Sequence, residues 1–174
     1  MKKQLSLALA FCLGLIAFQA ARADEKDTKA GPTLDTIKKL AGDWVAADKD
    51  GKPTDQVMSK IRVTSGGKTV METLSPGTDH EMLTVYYMDG KDLVLTHYCI
   101  LGNQPRMRAE KTGDAKKLSF KFDGGANIDP NQSNHMHEAT ITLIDDDHIK
   151  AEWTRCAEGK ACETHGFDLV RKTK

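Results

Sequence analysis

Beyond residue 23 the chain has no apolar run long enough to span a bilayer, so membrane insertion is not expected. Charge of a single sign is missing as well, with 25 basic residues against 25 acidic ones. That balance argues against the basic face that nucleic acid or anionic lipid requires. No G-x-S-x-G, H-E-x-x-H or phosphate-loop motif occurs, so catalysis has no familiar signature to rest on. Internal repeats and low-complexity segments are also lacking. What is left after the N-terminal segment is one domain of about 150 residues, enough for a real core without metals or staples.

Cysteine is scarce, at four residues. The first, Cys12, falls in "MKKQLSLALAFCLGLIAFQAARADEKD", where two lysines, an apolar run from Leu5 to Phe18 and a small-x-small site at Ala21-Arg22-Ala23 read as a secretory signal peptide over residues 1–23. Export to the periplasm or the outside is therefore expected, with residues 24–32, "DEKDTKAGP", as a disordered leader. In that oxidising setting Cys156 and Cys162, which flank a turn in "RCAEGKACE", are expected to form a disulfide across a hairpin. Cys99 is then the odd thiol, with burial as a small hydrophobe its plain reading.

From Thr33 the spacing of Leu34, Ile37 and Leu40 predicts one short helix, with Thr33 as N-cap and Gly42 as the stop. After it the apolar period changes to two. Ten runs follow, near 43–48, 56–64, 68–74, 81–88, 91–99, 105–111, 116–123, 135–144, 148–155 and 162–171. Ten strands with short links make a meander, and closing it removes its edges. The domain, residues 33–174, is therefore expected to be an all-β, up-and-down antiparallel barrel with one N-terminal helix.

The tight turns 65–68, 88–91, 112–115 and 145–148 all fall at one end, and the longer links at the other, which becomes the mouth. Alternation then assigns facing. Ile149, Ala151 and Trp153 point inward, and pairing across the turns adds Leu143, Ile141, Ala139, His137 and His135 on one side and His165, Phe167 and Leu169 on the other. In the same way Leu93 and Leu95 carry His97 and Cys99 inward, opposite Met82 and near His80. A histidine-rich mouth results, bordered by the rest of "THYCILGNQPRMR", Thr96 to Arg108. Pairing with Leu118, Phe120 and Phe122 favours Met107 inside and Arg106 and Arg108 outside, unless a bulge at Pro105 reverses them.

Three uses of such a mouth stay open. In the first, a small organic ligand is bound without turnover: Met82, Phe120 and Trp153 supply apolar wall, and His97, Cys99, Asn103, Gln104, Arg106, His135, His137 and His165 meet its polar part. In the second, His97, His135 and His137, with Cys99 as a further ligand, hold zinc or copper, since imidazole and thiolate suit either. In the third, Cys99 is a nucleophile served by His80. Trp44 reads as a packing residue at the barrel floor, and Asp145 to Asp147 as a solvated turn rather than a calcium loop. Oligomeric state leaves no mark on the sequence.

"LAGDW", entering the first strand straight after a short helix, resembles the calycin superfamily of lipocalin-like barrels, in which Gly-x-Trp opens the first strand. "EMLTVYYMDGKDLVLTHYCILGNQPRMRA", "HMHEATITLIDDDHIKAEW" and "FDLVRK" look like a group of secreted bacterial lipocalin-like proteins of unknown function. The resemblance spans roughly residues 34–172 and implies a small-ligand barrel. The cysteine hairpin departs from it. A more distant similarity is to nitrobindin, a ten-stranded calycin-like barrel that binds haem through a histidine near its C-terminus. His165 in "THGFDLVR" is the matching position, although "GDWVAAD" stands here where that family has a glycine-rich first strand.

Overall fold

The period of two that starts at Gly42 becomes ten antiparallel strands in the computed structural model, which describes residues 31–129, 131, 133–157 and 160–173. Helix α1 (Leu34–Lys38) is followed by β1 (Gly42–Ala47), β2 (Pro53–Thr64), a 3-10 turn (Ser65–Gly67), β3 (Thr69–Leu74), β4 (Met82–Asp89), β5 (Asp92–Tyr98), β6 (Gln104–Ala109), β7 (Lys117–Ala126), β8 (His135–Leu143), β9 (His148–Ala157) and β10 (Lys160–Arg171). Each strand pairs with its neighbours in sequence, and β1 pairs with β10, so the meander closes into a barrel. The signal peptide, most of the leader and the side chain of Cys162, hence the Cys156–Cys162 pairing, lie outside the described residues. Among the described residues no helix is long and apolar enough to cross a membrane.

Helix α1 is shorter than its apolar spacing predicts, but Leu34, Ile37 and Leu40 are all buried in the barrel's core. Thr33 takes the N-cap position in extended conformation without a side-chain cap bond. The helix covers the end where the tight turns lie, packing beside Gly67, Lys68 and Met88. Below the cap, Tyr86, Leu93, Leu95, Met107, Leu118 and Phe120 fill the lower barrel with 2% exposure or less. Each such side chain contributes roughly 1.5–3 kcal/mol by leaving water.

Arg171, near the end of β10, ties the cap to the wall. Its guanidinium lies 4.4 Å from the Trp44 ring centroid, donates to the carbonyl oxygens of Ala41 (2.7 Å) and Asp146 (2.8 Å), and donates to Asp147 Oδ1 (2.7 Å). Gly42 makes room for it. With φ at +146°, a Cβ there would sit 2.8 Å from Arg171 Nη1, so no other residue fits without moving the guanidinium.

The outer wall carries one dense ion network. Arg106 and Arg108 point outward from β6 and share Asp123, at 2.7 and 3.0 Å, while Arg108 also reaches Asp89 (3.0 Å) and Asp92 (2.9 Å). Burial tends to raise the Asp123 pKa, but the two guanidinium groups outweigh it and hold the carboxyl below its ordinary range. Because the group is partly solvated, Asp123→Asn is expected to cost no more than about 1 kcal/mol in urea unfolding, with the loss shrinking in high salt.

Closure is partial along the seam. Strand β1 pairs with β10 only at Trp44, Val45 and Ala46, against Arg171, Val170 and Leu169. Residues 163–168 of β10 extend past that pairing and are exposed. The interior is therefore reachable from the side, near His165 and Phe167.

Candidate functional site

Above the packed floor the barrel leaves a cavity of about 140 Å³. Its wall is apolar and soft, with three thioethers, Met58, Met82 and Met136, beside Leu74, Trp153 and Phe167. Cavities of roughly 150 Å³ accept a single benzene ring. That scale suits a one-ring ligand, and a haem macrocycle is far larger. Phe167, at 39% exposure, and His165 form the rim on the part of β10 that runs past its pairing with β1.

Ser59, Glu72 and His97 also line the cavity, and the strand pattern explains how. On β3 the inward positions run Val70, Glu72, Leu74, so a carboxylate occupies a place whose neighbours are apolar. It is 7% exposed. Ser59 Oγ donates to its Oε1 at 2.7 Å, and Tyr86 Oη donates to its Oε2 at 2.6 Å. Burial raises the Glu72 pKa above the ordinary value, with those two donors pulling the other way. Tyr86 is pushed well above the ordinary phenol range, by burial first and by the Glu72 carboxylate next.

His97 lies on β5 opposite Thr84. Its Nδ1 is 3.0 Å from Thr84 Oγ1, and its ring packs 4.9 Å from that of Trp153. At 1% exposure, burial drives its pKa from 6.5 down to about 4, so the ring is neutral at pH 7. Its Nε2 is buried and makes no hydrogen bond among the described residues. A buried ring nitrogen left without a partner is costly, and the cavity is where a partner fits.

Of the residues singled out in the sequence, His97, Met82, Trp153 and His165 line this cavity. The others do not. Phe120 is fully buried in the floor, with its ring centroid 6.0 Å from that of Tyr86. Cys99 is buried beyond the end of β5, where its N–H donates to the Asn103 carbonyl in the turn. Asn103 reaches across to the segment before β8, its Nδ2 donating to the Asn134 carbonyl at 2.8 Å, while its Oδ1 is buried without a partner among the described residues. Gln104 and Arg106 border a shallow groove on the outer surface. His80 is exposed in the loop before β4.

His135 and His137 do not line this cavity; they lie together against Phe122, the strand partner of the buried Met107. Strand β8 has a register shift between Met136 and Glu138: Met136 pairs with Arg155 and Glu138 with Thr154, which leaves His137 as an extra residue. One extra residue breaks the alternation where it falls. Below the bulge Ala139 and Ile141 face inward as expected. Above it Met136 enters the cavity in place of the two histidines.

The pair makes a site of its own against Phe122, with ring centroids 4.6 Å (His135) and 5.2 Å (His137) away. The Ser133 carbonyl, 2.8 Å from His135 Nδ1, can only accept, so that nitrogen carries a proton. His137 Nδ1 then donates to His135 Nε2 across 3.1 Å. Burial lowers the His137 pKa, and neighbouring His135 lowers it further. This relay anchors the segment before β8. The zinc or copper set His97, His135 and His137 is not assembled, and among the described residues no three His, Cys, Asp or Glu side chains converge as a metal set.

Sequence reasoning missed Ser59, Glu72, Met58 and Met136. Glu72 had a visible signal, an acid at an inward position of "TVMETL". Met136 had none, because nothing in "HMHEA" announces the bulge. No family model matches the chain, and no curated protein matches it.

Proposed function

We propose that this protein is an exported, lipocalin-like barrel of the calycin type that binds a small, largely apolar organic molecule without turning it over. The observation that carries this reading is His97 Nε2, a polar atom buried at the wall of a largely apolar cavity with no partner among the described residues. Apolar walls with a few convergent polar groups are the usual make-up of a ligand pocket. The N-terminal signal, the short helix and the Gly-x-Trp entry to β1 support export and the calycin assignment.

Trp153 in the wall serves as a reporter. Titrating the protein with benzyl alcohol is expected to change tryptophan fluorescence saturably, and His97→Phe is expected to weaken binding about tenfold, the value of one hydrogen bond to a buried group. A linear, non-saturating response in the wild type would remove the reading. An unchanged affinity in the variant would remove His97 from it.

A further inference from the structure

The Glu72 carboxyl is the cavity group that the protein leaves electrostatically unanswered. Its two hydrogen bonds come from the neutral hydroxyls of Ser59 and Tyr86, and among the described residues it makes no ion pair. None of the described residues lining the cavity is lysine or arginine. The neighbouring histidine contributes no charge, because His97 is neutral at pH 7. A carboxylate taken out of water normally keeps a cation beside it or gives up its charge by binding a proton.

We propose that the cation is brought by the ligand, and that the cavity is selective for a small arylalkyl amine in its ammonium form. This rests on the small-molecule reading above and narrows it to one chemical class. Each Glu72 oxygen already accepts one hydroxyl and has a further lone pair for an N–H donor. His97 supplies the second acceptor. When Nδ1–H donates to Thr84 Oγ1, Nε2 presents its lone pair to the cavity and takes another N–H of the same ammonium. The ring of the ligand then lies among the three thioethers and Trp153, and sulfur and indole faces both attract aromatic or cationic groups.

The same wall disfavours anions. An aromatic carboxylate would place its charge against Glu72 with no lysine or arginine in the described wall to receive it. At the rim, Glu163 lies 3.5 Å from His165 and is paired with the Arg155 guanidinium at 3.3 Å.

Three near-isosteric probes separate the possibilities: benzylamine, benzyl alcohol and benzoate, titrated at pH 7 by calorimetry against the mature wild-type protein. Benzylamine is expected to bind about 10–100-fold more tightly than benzyl alcohol, the range of a charge-assisted over a neutral hydrogen bond, and benzoate most weakly. Glu72→Gln keeps the shape and one acceptor oxygen, with the hydroxyl facing the new amide nitrogen turning to accept, and is expected to bring amine and alcohol to within about twofold of each other. Alcohol binding as tightly as the amine, or benzoate binding more tightly than either, overturns the amine assignment while small-molecule binding stands. Failure of all three to bind overturns both. The order of the probes on the wild type decides the matter even where the variant does not fold.

Discussion

Trp44→Ala is expected to lower the stability of the domain by about 3–5 kcal/mol, read as a shift of the urea midpoint at unchanged slope. The ring is 0% exposed and belongs to the core shared by α1 and the barrel floor. Its Nε1–H donates to the Leu40 carbonyl at 2.8 Å, which fixes the exit of the helix. Over its other side lies the Arg171 guanidinium, which holds the Ala41 carbonyl and the turn before β9. Removing the indole opens a large void and loosens Arg171, whose pairing near the end of β10 closes the barrel against β1. A single domain has about 5–15 kcal/mol to lose, so this one change takes a large part of it. Trp44→Phe keeps most of the volume and is expected to cost less than half as much. A loss under about 1 kcal/mol for the alanine variant would mean that helix and floor are not held together through this residue.

The second large effect is a dependence on pH. His97 has its pKa lowered from 6.5 to about 4 in the fold, so between these values the unfolded chain binds a proton that the folded one does not. Stability from this group is fully present above pH 6.5 and is lost as pH falls toward 4. Between pH 7 and pH 4.5 the loss amounts to roughly 2–3 kcal/mol. His97→Phe, which keeps a ring beside Trp153, removes this part of the acid sensitivity. Glu72 works in the opposite sense. Its raised pKa means that its contribution is greatest below its ordinary value of 4.5 and is lost as pH rises through the folded value. The measurement is therefore the difference between wild type and His97→Phe at the two pH values, in which Glu72 and the surface carboxylates largely cancel. Equal losses for the two proteins would show that the His97 ring accepts a proton in place without cost.

Much of the fold was legible because it depends on local rules. The period of two from Gly42 onward, broken by turn residues, placed all ten strands within a few residues of their observed limits. Leu34, Ile37 and Leu40 marked a helix whose apolar side needed covering, and the tight turns marked the end it covers. Alternation read correctly wherever pairing ran without a break, as for Trp153 opposite His165 and Ala139 opposite Trp153. The outward facing of Arg106 and Arg108 followed from the same pairing, although a register shift lies between Pro105 and Met107.

The candidate site was less legible, because a single extra residue breaks the alternation where it falls. "HMHEATITL" has the same alternation with or without a bulge, so His135 and His137 read as cavity residues and Met136 as an outer one. Whether a ring fills the interior or borders a void is likewise a property of the assembled barrel. Phe120 closes the floor while Trp153, on a neighbouring inward position of the paired sheet, borders the cavity. The sequence by itself determined the strand count, the meander order, the helix over the tight-turn end and the inward places of His97, Met82 and Trp153. Only the tertiary structure decided the β8 register, the cavity's size and the placing of Glu72 and His97 in one cavity wall. The physical reason is that side-chain direction is set locally, residue by residue, whereas register and empty volume depend on all the strands at once.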